Sequence, residues 1–172
     1  MKKLLVPAIV ILVVVAGIQA YAHINLQSPL NRAIQADARS KGIKASVSYG
    51  NWIPGSTIVF NLKEVSSTNS PADVFRVFLQ FAEKQKANTY SRVILAHKGK
   101  RKFMIEGDYF KVLGQEFGPQ NPVYTIRTFP EHVFDISGKQ AFANWTGGVL
   151  GVLNKQMEDF NEFNKQWFIN DL

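Results

Sequence analysis

From Leu4 to Ile18 the chain runs fifteen residues without a charge or a strong hydrogen-bonding side chain. A helix built from such a run is apolar on every side, so one face of a globular core cannot absorb it. Lys2 and Lys3 precede the run, and Ala20-Tyr21-Ala22 closes it with the small-x-small tripeptide that signal peptidases accept. Gly17 lies six residues before that cut and weakens the helix where the cleavage segment must extend. Cleavage leaves a mature chain beginning at His23. The alternative is an uncleaved anchor: Leu4 to Ala22 is 19 residues, close to the ~20 that cross a ~30 Å hydrocarbon core. The two lysines then hold the N-terminus in the cytoplasm. Both readings divide the chain into a leader, 1–22, and one exported domain, 23–172, periplasmic or secreted if cleaved and membrane-anchored if not. No cysteine follows the run, so lipid attachment at a cysteine is excluded.

Those 150 residues suffice for one domain that buries roughly 70% of its unfolded surface. Thirteen phenylalanines and a 46% hydrophobic content exclude a disordered chain. The lack of cysteine leaves stability to the core alone and removes thiol catalysis, zinc-thiolate sites and iron–sulfur clusters. The net charge of +7 includes Lys2 and Lys3, so the domain keeps an excess of five positive charges. That excess suits an anionic surface.

Ser28-Pro29 predicts a first helix through Ser40, with only a thin stripe of Ala33, Ile34, Ala36 and Ala38 and hence a peripheral place. Ala45–Tyr49 and Thr57–Val65 read as strands on either side of turn chemistry at 50–55. Ser70, Pro71 and Asp73 mark a sharp start for a helix to about Ala87, whose Val74, Phe75, Phe78, Leu79, Phe81 and Ala82 put it at the centre of the fold. Arg92–His97 and Lys102–Glu106 form a hairpin around 98–101. Asp108 caps a short helix over 109–117, Val123–Phe129 reads as another strand, and 132–136 suits a short strand. Leu150, Leu153, Met157, Phe160 and Trp167 recur at helical steps over 149–168. Without regular βαβ alternation the fold class is α+β: four or five mainly antiparallel strands and three or four helices packed on one side, ending in a long amphipathic helix.

Four groups of residues bear chemistry. Lys98, Lys100, Arg101 and Lys102 crowd the hairpin tip and are candidate anion ligands, although lysines also keep sheet edges soluble. No aromatics interleave with them, so nucleic acid is not an expected partner. Gly147 and Gly148, after Trp145, open the last helix, where free amides can receive an anion or simply allow tight packing. Asn144-Trp145-Thr146 also fits a glycosylation acceptor. Glu106, Asp108 and His132 are the acid–base candidates, and His97 at a strand end suits a backbone hydrogen bond.

Cleavage would also place His23 at a free N-terminus. The stretch His23-Ile24-Asn25-Leu26-Gln27-Ser28-Pro29-Leu30-Asn31-Arg32 resembles the opening of bacterial chitin-active lytic polysaccharide monooxygenases in its His, Ser-Pro and Arg offsets. The resemblance implies copper at His23 and a second histidine, and a β-sandwich. It covers ten residues, Ile24 replaces the usual glycine, and the three helical patterns oppose a sandwich. No metal ligands, cofactor or enzyme signature are therefore assigned. The expectation is a non-enzymatic exported module that binds a protein or an anionic envelope component and touches membrane only through 1–22. The alternatives are a small hydrolytic or metal-dependent enzyme using Glu106, Asp108 or His132, and a structural envelope protein held by its uncleaved leader.

Overall fold

The computed structural model describes residues 2–51, 53–147 and 149–172, and side chains outside 1–10, 52–54 and 148–150. The leader is helix α1, Lys2–Ala22, and it does not stop at the proposed cut. It passes through one π-helical turn, His23–Gln27, directly into α2, Ser28–Ala36. Pro29 explains the turn. It has no N–H for the carbonyl of Asn25 and its ring crowds that carbonyl, so the helix widens rather than breaks. Ser28 is thus not a cap: its N–H bonds back to His23, and Gln27 before it is already helical. The buried stripe accordingly starts earlier than the alanines suggest. Leu26, Leu30 and Ala33 are 0%, 0% and 2% exposed, so this helix enters the core instead of lying at its periphery.

Five strands form one mixed sheet in the order β1 (Ile43–Asn51), β2 (Ile53–Val65), β3 (Arg92–His97), β4 (Lys100–Glu106) and β5 (Phe134–Asp135). Only β2 and β3 run parallel, joined by the crossover helix α3, Pro71–Gln85. The predicted turn at 50–55 is narrower than expected, since Asn51 already pairs with Ile53; Trp52 lies outside the described residues. At α3 the start signal is fully expressed as a reciprocal cap. Ser70 Oγ accepts from the Asp73 N–H at 3.2 Å, and the Asp73 carboxylate accepts from the Ser70 N–H at 2.8 Å.

Ile58, Phe60 and Leu62 of β2 and Val93 and Leu95 of β3 point to one face, each 0% exposed. The apolar sides of α3, α4 (Gly107–Glu116) and α6 (Val149–Trp167) share a core with them. Aromatic rings fill this layer: Phe60 meets Phe78 at 5.2 Å, Phe75 meets Phe129 at 4.7 Å, and Phe103 meets Phe163 at 5.4 Å. Each buried ring contributes roughly 1.5–3 kcal/mol of transfer free energy. The class is α+β, with a five-stranded sheet and a long C-terminal helix; a β-sandwich, which the copper-enzyme resemblance requires, is not what forms.

Two local expectations are corrected. Residues Val123–Phe129 are not a strand; α5 spans Pro122–Thr128. The strand-like composition is overridden by a cap, with Asn121 Oδ1 accepting from the Val123 N–H at 2.9 Å and Pro122 in the first turn. Asp108 does not cap α4. The cap is Glu106, and Asp108 sits inside the first turn. Gly107 sets this earlier start: a Cβ there would lie 1.7 Å from the Tyr90 carbonyl oxygen, so only glycine lets β4 turn into α4 against the neighbouring chain.

Candidate functional site

The basic hairpin turns on two residues, Lys98 at φ 49° and Gly99 at φ 83°, a left-handed pair that matches the twist of the flanking strands. Its cations do not converge on one point. Lys98 Nζ donates to the Asp171 carbonyl at 2.7 Å, while Lys102 Nζ pairs with the Asp171 carboxylate at 2.6 Å. Together they pin the C-terminal turn to the sheet, and the Lys102 contact holds the Asp171 carboxyl below its usual range. Arg101 Nη2 instead donates to the Gly50 carbonyl at 3.1 Å on the opposite flank. Lys100 is exposed.

Under the pinned turn sits His97. Its parity with Val93 and Leu95 points it inward, and it is 0% exposed. It does not make the backbone bond expected at a strand end: among the described residues neither ring nitrogen has a hydrogen-bond partner, and Nδ1 lies 3.7 Å from Asp171 Oδ2. Burial, then the charge of Lys98, lowers its pKa, so the ring is held neutral.

Glu106 and Asp108 line a cavity of about 550 Å³ together with Tyr90, Arg92 and Phe134. His132 is not part of that lining. Its ring stacks on Tyr109 with centroids 3.8 Å apart, and burial lowers its pKa against the opposing pull of Glu131 and Glu106. At the last helix, Gly147 has φ 140° and Gly148 lies outside the described residues. Trp145 straps this end to α6 by donating from Nε1 to Asp159 at 2.6 Å, which supplies the packing role for the turn.

One further feature is not marked by any sequence motif: a groove of about 640 Å³ between the end of α1 and the outward face of the sheet. Its floor is a row across four strands. Ser46 pairs with Asn61, Asn61 with Ala96, and Ala96 with Arg101. Small side chains hollow the middle of that row, and Arg101 stands at its far end. Ile18, Gln19, Ala22 and His23 form the opposite wall. The helix is seated by Tyr21, whose ring stacks on Tyr49 at 6.3 Å. Gln27 completes the seat: its Oε1 accepts from the Val47 N–H at 2.9 Å and its Nε2 donates to the Ala45 carbonyl at 3.4 Å. One side-chain amide thereby occupies one N–H and one carbonyl of the edge strand that could otherwise pair with another strand. The alternation of Ser46 and Ser48 with Val47 marks a wet face in the sequence, but nothing in the pattern reveals that the leader packs beside it.

Family models, curated proteins and solved structures give no match to this chain.

Proposed function

We propose that residues 23–172 form an extracytoplasmic, non-enzymatic binding module for a protein or an anionic component of the envelope, held at the membrane by an uncleaved α1. The observation that carries this reading is the continuity of one helix from Lys2 to Ala36 through the tripeptide Ala20-Tyr21-Ala22. Ala22 is helical at φ −62° and ψ −39°, whereas peptidases act on extended segments. Leu26, four residues beyond the cut, is wholly buried. Ile11, Leu12 and Val13 are 64%, 70% and 63% exposed among the described residues. Hydrocarbon is the solvent that suits such a surface. The helix is apolar and long enough to cross a bilayer.

Intact mass of the chain from alkali-washed membranes of its native host tests the reading. A mass that includes residues 1–22, in the membrane pellet, supports it. A soluble product beginning at His23 removes the anchor, and a full-length product in the cytosol removes the module's placement altogether.

A further inference from the structure

The geometry points to the groove between α1 and the sheet as a binding site for the headgroup of an anionic phospholipid from the bilayer that holds α1. Depth is the first reason. The helix from Leu4 to Ile18 spans roughly 22 Å, and Gln19 to Ala22 adds about 6 Å, together close to a hydrocarbon core. The wall formed by Ile18, Gln19, Ala22 and His23 therefore lies where acyl chains give way to headgroups. Tyr21, 51% exposed on this stretch, has the amphipathic ring that favours that layer.

Charge is the second reason. Among the fifteen residues lining the groove there is no carboxylate, and Arg101 is the fixed cation. Its bond to the Gly50 carbonyl uses one Nη2 hydrogen, which leaves the rest of the guanidinium fork for phosphate oxygens. Ser46, Ser48, Asn61 and Gln19 add hydroxyl and amide donors suited to phosphate and glycerol. The walls complete the match. Ile18, Ala22 and Val59 are apolar, as the neck of a lipid beneath its headgroup requires, whereas a free anion would gain nothing from them. The inference rests on the anchored reading, and it extends membrane contact from the leader to the domain itself.

The full chain reconstituted in nanodiscs of equimolar phosphatidylglycerol and phosphatidylcholine, then released for native mass spectrometry, tests the site. The wild type is expected to retain phosphatidylglycerol preferentially. Arg101→Gln should cut that retention about tenfold, the worth of a charge-assisted bond. Ser48→Trp, which fills the groove and keeps the charge, should cut it as well, while Lys165→Gln on α6 should not. Equal retention of the two lipids by the wild type overturns the site, as does undiminished retention in Ser48→Trp. Incorporation into nanodiscs is scored separately, so a chain that never enters them refutes the anchor rather than the groove.

Discussion

The Gln85 side-chain amide donates to the carbonyl of Asn25 at 2.8 Å, the carbonyl that Pro29 leaves without its helical N–H. The Gln85 Oε1 in turn accepts from Tyr90 Oη at 2.6 Å and from Asn88 Nδ2 at 2.7 Å. At 1% exposure, Gln85 joins the leader junction, the end of α3 and the approach to β3 in one buried network. Burial pushes the Tyr90 hydroxyl up to about 12, so it stays a donor at any ordinary pH.

Gln85→Leu strips that network of its hub and takes the partner from a part-buried carbonyl and a buried hydroxyl. A loss of about 3 kcal/mol in unfolding free energy is expected from two such groups. Urea unfolding of the full chain in mild detergent measures it.

The leader junction also decides where the domain starts. A chain beginning at His23 keeps Leu26 and the Gln27 clasp on β1, and should unfold cooperatively. One beginning at Ser28 loses both, with about 2–5 kcal/mol gone for Leu26 alone. Circular dichroism melts of the two truncations, read against the full chain, check the contrast.

Gly107 and Gly99 should respond very differently to alanine. At Gly107 the added Cβ meets the Tyr90 carbonyl oxygen at 1.7 Å, so backbone must move and more than about 4 kcal/mol is expected to be lost. At Gly99 nothing lies within 4 Å, and only the left-handed backbone at φ 83° is penalised, by about 1 kcal/mol. Expression level and melting temperature of the two variants separate them.

Acid should destabilise the fold through His97 before it does so through carboxylates. The folded chain lowers the His97 pKa, so the unfolded chain binds more protons once the pH nears the ordinary value of about 6.5. This stabilisation is complete above that value and is lost as the pH falls through it toward the folded one. Asp171 faces His97 and acts lower: its pKa is depressed, so its share persists above the ordinary carboxylate range and disappears below it. Unfolding free energy measured from pH 7.5 to 5.5 should drop in the wild type and drop less in His97→Leu, with the remaining slope due to His132, whose pKa is also lowered.

The strongest local signals carried the fold: the Ser70-Pro71-Asp73 start and the helical spacing of α6 lie where the sequence puts them, and the hairpin expected around 98–101 forms with a tighter turn, since Lys100 and Arg101 already belong to β4. Failures came where a distant contact outweighed a local pattern. Val123–Phe129 has strand composition, yet the Asn121 cap and packing beside α6 make it helix. Ser28-Pro29 looks like a beginning only while the helix before it is assumed to be gone. The hairpin cations were visible as a cluster, but their partners Asp171 and Gly50 are 73 and 51 residues away, and that separation hid their division of labour. The groove was invisible because one wall of it comes from the end of a segment that the sequence assigns to export or anchoring alone.

An unbroken helix from leader to core also fixes posture. A domain on a floppy tether samples every height and tilt within its reach, diluting any one face among many orientations. Here the π-turn is clamped by Gln27 and Gln85, so in the anchored chain proposed above a tilt of α1 would carry the whole sheet with it. On that proposal, a partner in the same membrane would search in two dimensions for a target already facing it.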